Sequence, residues 1–188
     1  MRTLPAWIAA GAFAFVALPA SAQGIGRFVD AAHFPIDRSN NVYGLGGSSE
    51  QKLAQTLTVE VGGTLAGLLL AVNCVGPKLK VEIRDVDASG LPGPTLLAQR
   101  NVNPADFDAY GRFTYVPIAG ALALGAGQQV SFVVSVPKGQ CSYMPSPVGT
   151  DYPGGHGFFD ARPNAPGWVP FSEFANTPDD LPFQLVLD

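Results

Sequence analysis

Alternation of apolar and polar residues is the dominant pattern along this chain. From Leu79 to Arg84, apolar residues alternate strictly with charged ones, which predicts a strand with one buried and one exposed face. The run DASGLPGP that follows is rich in turn-forming residues, and Leu96 to Val102 returns as the partner strand. Lys78 to Val102 is therefore predicted to be a β-hairpin.

The same two-residue period recurs in other segments, and no long helical period interrupts it. The other predicted strands are 52–61, 64–73, 112–118, 129–136, 157–160, 168–171 and 181–187. With the hairpin they make about eight or nine strands, separated by loops rich in Gly and Pro. We therefore predict an all-β fold, a single antiparallel β-sandwich of the jelly-roll type.

Three segments of different texture divide the 188-residue chain. Residues 1–22 combine an early arginine, a short apolar run and an Ala-Ser-Ala ending, which predict a secretory signal peptide. Residues 23–50 are polar and irregular and are predicted to be a loop-like N-terminal segment, whereas residues 51–188 are predicted to be the sandwich. No second apolar stretch of about 20 residues follows, so we expect no integral membrane segment and a secreted or periplasmic protein.

Composition and charge narrow the range of partners. The chain carries 11 basic and 15 acidic residues, with a formal net charge of −4. Because Lys and Arg do not cluster, nucleic acid and anionic membrane surfaces are not expected as partners. Sparse charge together with abundant Gly, Pro, Val and Phe is typical of an exported all-β domain.

The chain contains two cysteines, Cys74 and Cys141. Both follow apolar, strand-like segments and could therefore meet at one end of a sandwich. An even number of cysteines in an exported protein favours a disulfide between them. The alternative is two unpaired thiols, one of them buried. A metal or redox site is disfavoured because the sequence has no CxxC and only two histidines.

Several short motifs occur in an order that resembles a known group of proteins. In chain order they are AQTLTVEVGGTLAGLLLAV, LKVEIRDVDASGLPGPTLLA, LGAGQQVSFVVSV, DYPGGHGFFD, GWVPF and DLPFQLVLD. Together they resemble the carbohydrate-binding-module-like β-sandwiches of secreted bacterial proteins, which often carry varied C-terminal anchors. The resemblance extends from about residue 36 to the C-terminus. It implies a non-catalytic binding module whose expected ligand is a glycan or another cell-surface polymer.

Sugar-binding sandwiches use exposed aromatic rings as stacking platforms beside polar side chains. The loop-rich C-terminal third of this chain contains both kinds of residue. The candidate ligand-binding residues are Tyr143, Asp151, Tyr152, His156, Asp160 and Trp168. For Trp168 the alternative of a place in the core is favoured, because large aromatic side chains dominate burial.

Asp85, Asp87 and Ser89, followed by Gly90, imitate the first half of a calcium-binding loop. The bidentate acid that such a loop needs at its twelfth position is replaced by Leu96. The alternative, which we favour, is a hairpin turn whose side chains hydrogen-bond the backbone. A structural calcium ion is the one candidate cofactor.

Recognisable catalytic motifs are absent from the sequence. It contains no GxSxG or HExxH, and its only histidines are His33 and His156. We therefore predict that the protein is not an enzyme. The main alternative to a binding module is a structural or adhesive extracellular protein that self-associates. A hydrolase whose paired carboxylates are distant in sequence is a weaker alternative.

Overall fold

Fourteen β-strands form the fold in the part of the chain that the structure describes. The computed structural model describes residues 26–39, 41–107, 112–162, 165–174 and 177–188. The strands are β1 (Phe28–His33), β2 (Tyr43–Gly46), β3 (Lys52–Thr58), β4 (Gly62–Leu70), β5 (Val72–Asn73), β6 (Leu79–Val86), β7 (Pro92–Val102), β8 (Thr114–Pro117), β9 (Ala123–Gly125), β10 (Gln129–Ser135), β11 (Gln140–Tyr143), β12 (Gly157–Ala161), β13 (Ala165–Pro170) and β14 (Phe183–Leu187). Every pairing between these strands is antiparallel. The prediction of an all-β, antiparallel fold is confirmed.

The strands form two large sheets and one small one. The six-stranded sheet has the order β13-β12-β3-β10-β6-β7. The five-stranded sheet has the order β1-β14-β4-β8, with β9 also paired to β4. The small sheet consists of β2, β11 and β5.

One hydrophobic core joins the two large sheets. The six-stranded sheet contributes Leu53, Ile83 and Phe132, among others, and the five-stranded sheet contributes Leu68 and Phe183. The rings of Phe132 and Phe183 are in tilted contact, with 5.5 Å between their centroids. Because alternate side chains of each strand point into this core, the two sheets form a sandwich-like arrangement.

The predicted hairpin is confirmed by the pairing of β6 with β7. The two strands run antiparallel, from Leu79 opposite Val102 to Val86 opposite Pro92. The alternating apolar side chains of β6 are buried, as its two-residue period predicts.

The predicted number of strands, eight or nine, is too low. β2, β5, β9 and β11 are only two to four residues long, which is too short to display a clear alternation. The predicted strand 64–73 is also divided, because Ala71 lies between β4 and β5. The additional strands therefore come from segments in which sequence periodicity is weak.

The N-terminal segment 23–50 is not an irregular loop where the structure describes it. β1 pairs with β14, and β2 pairs with β11. The alternation of β1 is broken at a bulge around Asp30, a buried residue. The Asp30 carboxylate accepts backbone hydrogen bonds from Glu60, Val61 and Gly62, at 2.7, 2.8 and 3.0 Å. This segment is therefore part of the sheets, and the predicted boundary at its end does not separate it from them.

The predicted disulfide is confirmed. Cys141 lies in β11 and Cys74 directly follows β5, and the two are bonded within the small sheet. The predicted signal peptide, residues 1–22, lies outside the described residues. Among the described residues, no helix is long and apolar enough to cross a membrane.

Candidate functional site

The outer face of the six-stranded sheet, which points away from the core, is well covered. In an antiparallel sheet this face is commonly solvated. Here Glu82, Ser131 and Val133 point outward from β6 and β10, yet they are only 6%, 0% and 2% exposed. The β6–β7 turn and the loop before β12 line hollows on this face. It is therefore a set of hollows rather than an open sheet surface.

Five apolar side chains form a floor across the outer face. Ala54 on β3 lies opposite both Val133 on β10 and Phe158 on β12, so the three are neighbours on adjacent strands. These three residues are at most 3% exposed and form a cluster of their own, against which Leu91 and Trp168 pack. The five residues are termed the apolar floor. Its members line two hollows, one on each side.

The first hollow, termed the polar groove, has a volume of about 540 Å³. Its polar side chains are Thr56, Thr58, Ser89, Gln129, His156 and Ser172. Phe158 and Leu91 of the apolar floor also line it. Hydroxyl and amide groups both donate and accept hydrogen bonds, whereas the floor offers apolar contact. Such a groove suits an uncharged ligand that carries several hydroxyl groups.

One wall of the polar groove is a loop that lies directly against β3. The backbone N–H of Thr56 donates a hydrogen bond to the carbonyl of His156, and the backbone N–H of His156 donates one to Oγ1 of Thr56, both at 2.9 Å. The hydroxyl of Thr58 donates to the carbonyl of Gly154, also at 2.9 Å. A Cβ on Gly155 would overlap the carbonyl of Thr56. Glycine at this position therefore permits the close approach that brings His156 to the groove.

The opposite wall is the β6–β7 turn, and the candidate calcium ligands lie in this turn and at the end of β6. Oδ1 of Asp87 accepts backbone hydrogen bonds from Ser89 at 2.8 Å and from Leu91 at 3.0 Å. Oδ1 of Asp85 accepts one from Thr95 at 2.8 Å. These contacts are those of the hairpin-turn alternative. Among the described residues no group of three or more His, Cys, Asp or Glu could hold a metal ion. Calcium binding stays a prediction.

The second hollow, termed the charged hollow, has a volume of about 310 Å³. Its ionisable side chains are Lys52, Glu82, Arg84, Asp160 and Arg162. Trp168 and Val133 of the apolar floor line it as well. The two hollows therefore share one floor but differ in chemistry, since the polar groove has a single imidazole and the charged hollow has charges of both signs.

Both carboxylates of the charged hollow are neutralised locally. Nε of Arg84 lies 3.1 Å from Oε2 of Glu82, and Lys80 pairs with the other oxygen. Nε of Arg162 lies 3.3 Å from Oδ1 of Asp160. Burial would raise the pKa of Glu82, but the hydrogen bonds and charges of Lys80 and Arg84 outweigh it and hold the pKa below its ordinary value. Glu82 is therefore an ionised, paired carboxylate at neutral pH.

Tyr143 and Tyr152, predicted as exposed stacking rings, are buried instead. The hydroxyl of Tyr143 donates a 2.6 Å hydrogen bond to the carbonyl of Pro182, and burial raises the pKa of this tyrosine. The ring of Tyr152 packs edge-on against Phe183, with 5.1 Å between centroids. Their exposed fractions are 0% and 7%. The expectation that these two rings are exposed is therefore wrong.

Three of the predicted ligand-binding residues lie on the outer face. His156 lines the polar groove, and Asp160 and Trp168 line the charged hollow. Trp168 is partly buried against the cluster of Ala54, Val133 and Phe158 and does not belong to the core between the sheets. Asp151 is exposed and lines neither hollow. Ligand binding by these residues stays a prediction.

Several groove residues were not identifiable as site residues from the sequence. The alternation marks Thr56 and Thr58 as outward positions, but it assigns no role to them, to Gln129 or to Ser172. The sequence does contain one indication of a groove. The outward positions of β3 near the groove carry hydroxyl groups, whereas the outward positions of β6 carry charged groups. Outward hydroxyls on a strand, together with a glycine-rich loop elsewhere in the chain, would have indicated a groove.

Comparisons with known proteins provide no further guide. No family model matches this chain, and no curated protein matches it significantly. The two hollows are therefore interpreted from their own chemistry. The polar groove offers uncharged hydrogen-bonding groups beside an apolar floor, and the charged hollow offers ion pairs beside an indole ring.

Proposed function

We propose that this chain is a non-catalytic carbohydrate-binding protein whose ligand site is the polar groove with the apolar floor. The observation that carries the proposal is the groove itself. It has a volume of about 540 Å³ and presents hydroxyl, amide and imidazole groups beside the ring of Phe158. A concave site that combines apolar surface with a few polar groups is the usual form of a small-ligand site.

A sugar ring matches both parts of this site. One face of the ring carries C–H groups that contact apolar surface, which the partly exposed Leu91 and Pro170 offer in the groove. The hydroxyls at its rim need donors and acceptors, and Gln129 offers both. The hydroxyl of Thr58 donates to Gly154, so its oxygen is available as an acceptor. The described residues that line the groove include no carboxylate, Lys or Arg, which favours hydroxyl groups over phosphate or amine groups in this part of the ligand.

We further propose that the sandwich is a jelly roll. The support is the pairing of eight strands, which in chain order are β1, β3, β4, β6, β7, β8, β10 and β14. The first pairs with the last, the second with the seventh, the third with the sixth and the fourth with the fifth. Such nested pairing results when one long hairpin folds over into two sheets. β12 and β13 extend the six-stranded sheet beyond β3 and bring Phe158 and Trp168 to its outer face.

The protein is proposed to act outside the cytoplasm, in secreted or periplasmic form. The disulfide between Cys74 and Cys141 supports this location, because disulfides persist in oxidising compartments. The predicted signal peptide of residues 1–22 supports it independently. Glycans and cell-surface polymers are accessible to a protein in that location.

Binding of the purified chain to insoluble polysaccharides and arrayed glycans, with and without calcium, tests the proposal. We expect retention on at least one class of polysaccharide, and loss of retention in Gln129→Ala and in His156→Ala. Both side chains are exposed in the groove, so their removal should leave the fold intact. Gln140→Ala is a matched control, because Gln140 is exposed on β11 and lines neither hollow.

Circular dichroism establishes that each variant is folded. The proposal is overturned by the absence of retention on every polysaccharide, or by retention that neither groove substitution changes. Calorimetric titration with calcium tests the candidate metal ligands separately. Binding that is lost in Asp87→Ala would support the calcium site, whereas no heat of binding would reject it.

A structural or adhesive protein that self-associates is the second candidate, and the edge strand β7 favours it. Among the described residues no strand pairs with the outer side of β7, which is 11 residues long. An edge of this length offers backbone groups to a second copy of the chain, although Pro94 on the edge opposes such pairing. Leu96 is 44% exposed on it.

Sedimentation velocity at several concentrations separates the two candidates. A dimer that dissociates on dilution and is weakened by Leu96→Lys would support self-association, because an exposed lysine on an edge strand opposes pairing. A monomer throughout the concentration range would reject it.

A further inference from the structure

We infer that the carbohydrate ligand carries an acidic group, a carboxylate or a sulfate, and that this group binds Lys52 in the charged hollow. The inference rests on the proposed function, because it assigns the second hollow to the same ligand. Beyond the proposed function, it specifies that the ligand is an acidic oligosaccharide and that Lys52 is the residue that selects it.

The charged hollow has more cations than anions around it. The cations are Lys52, Lys80, Arg84 and Arg162, and the carboxylates are Glu82 and Asp160. Each carboxylate is already paired with at least one of the other cations. Lys52 makes no ion pair within the part of the chain that the structure describes. It is therefore the cation of this hollow that is free to meet a ligand.

The position of Lys52 on β3 leaves its ammonium group available to a ligand. It stands opposite Asp160 on β12, but the carboxylate of Asp160 is bound by Arg162. Lys52 is partly exposed, so its ammonium group can reach solvent and ligand. The ion pair with Arg162 neutralises the carboxylate of Asp160, which limits competition for the Lys52 charge.

The geometry of β3 sets the length of ligand that could use both hollows. Lys52, Ala54, Thr56 and Thr58 are successive outward residues of this strand. From Lys52 to Thr58 the strand extends by roughly 20 Å, at about 3.3 Å per residue. A monosaccharide cannot span that distance, whereas an oligosaccharide of several units can. The uncharged part of such a ligand would occupy the polar groove and its acidic part the charged hollow.

The net charge of the chain indicates that an acidic ligand must bind through a local cluster of positive charge. The formal net charge is −4, so an acidic polymer is repelled by the protein as a whole. Attraction must then come from a local excess of positive charge, and the charged hollow has one beside the indole of Trp168. Binding through Lys52 should weaken as salt is added, because a partly exposed charge is screened within about 10 Å at 0.1 M salt.

The test compares retention of the purified chain on dextran, dextran sulfate, a neutral galactan and polygalacturonate. We expect tighter binding to one acidic polymer than to its neutral counterpart, and the two pairs distinguish a sulfate from a carboxylate. Lys52→Gln should reduce binding to that acidic polymer about two- to fivefold, the effect of a partly exposed charge pair. Lys52→Arg should retain it. Lys138→Gln, an exposed lysine outside both hollows, should have no effect.

The outcomes separate this inference from the proposed function. Binding to neutral polymers that is unchanged by Lys52→Gln, with no preference for an acidic polymer, overturns the inference and leaves the proposed function intact. An equal loss in Lys52→Gln and Lys138→Gln also overturns it, because the effect is then one of overall charge. No retention on any polysaccharide overturns the proposed function together with the inference.

Discussion

Nε2 of Gln55 donates a 2.7 Å hydrogen bond to Oδ1 of Asp180, and both side chains are buried. Oε1 of Gln55 accepts the backbone N–H of Leu181 at 2.8 Å, and Oδ2 of Asp180 accepts that of Tyr152 at 2.7 Å. Gln55 lies on β3 between two residues of the outer face, with its own side chain pointing inward. A buried polar network therefore supports, from behind, the strand that forms the floor of the polar groove.

Gln55→Leu should lower the free energy of unfolding by about 2–3 kcal/mol, because the buried carboxylate of Asp180 and the N–H of Leu181 each lose a partner. Burial raises the pKa of Asp180 above 3.8, and the hydrogen bond from Gln55 limits that rise. The substitution raises the pKa further. The folded variant then binds this proton more tightly than the folded natural chain does, so the loss should shrink as pH falls through the folded pKa of Asp180 in the variant.

Urea denaturation at neutral pH and at about pH 4 measures this difference. The exposed residue Gln140 provides the control, since Gln140→Leu removes an amide that the core does not use. A loss of stability in Gln55→Leu that is equal at both pH values would contradict a role for the charge of Asp180.

Asp30 should be among the most sensitive positions outside the hydrophobic core. Its carboxylate accepts three backbone hydrogen bonds at the β3–β4 turn, and so ties β1 to the beginning of β4. Asp30→Ala leaves those N–H groups without this acceptor and should lower the free energy of unfolding by about 2–4 kcal/mol. Asp30→Asn retains one oxygen and should cost about 1–2 kcal/mol.

Thermal and urea unfolding of both variants tests this order of effects. The exposed carboxylate of Asp151 is a suitable control, and Asp151→Ala should change stability by less than about 0.5 kcal/mol. Equal losses in Asp30→Ala and Asp30→Asn would show that packing, rather than hydrogen bonding, determines the contribution of Asp30.

The strands that the sequence predicts well are those with a long period of two. β3, β6 and β10 are seven or eight residues long, and their side chains alternate between the core and the outer face. The polar Gln55 nevertheless points inward, and the apolar Ala54 and Val133 point outward. β1 was predicted as part of a loop because Asp30 interrupts its alternation with a bulge. The bulge has a function that only the folded chain displays, since the partners of Asp30 are about 30 residues away in sequence.

The site was harder to predict than the fold because the residues that line the polar groove come from five separate segments of the chain. His156 and Trp168 belong to the C-terminal third, where aromatic and polar residues are dense, and they were predicted. Thr58 and Gln129 come from strands whose outward residues look like ordinary solvent-facing ones. Tyr152 has the same local sequence character as His156, yet it is buried because its ring turns towards Phe183. The local sequence does not show whether such a side chain points into the core or towards solvent.

The disulfide should contribute substantially to stability because it closes a long loop. Cys74 and Cys141 are separated by 67 residues. In the chain-entropy account, a loop of this length stabilises the folded state by about 4 kcal/mol. The double variant Cys74→Ser/Cys141→Ser should therefore unfold at a lower urea concentration by a corresponding amount. The same shift should follow when a reducing agent is added to the natural chain, and no further shift should occur when it is added to the double variant.

Gly155 should be required for the polar groove more than for the fold. A Cβ at this position would overlap the carbonyl oxygen of Thr56, a backbone atom that cannot rotate away. Gly155→Ala must therefore displace the loop from β3 and break the two hydrogen bonds between His156 and Thr56. We expect the free energy of unfolding to fall by about 1–3 kcal/mol, the usual cost of overpacking.

The distinguishing effect of Gly155→Ala is on ligand binding, because the displaced loop carries His156 out of the groove. In a variant that circular dichroism shows to be folded, retention on the polysaccharide bound by the natural chain should be lost. Gly44→Ala is the matched control, since a Cβ at Gly44 meets only ordinary contact with the side chain of Gln140, at 3.5 Å. Full retention by Gly155→Ala would mean that the position of this loop does not determine binding, and the ligand site would then have to lie elsewhere.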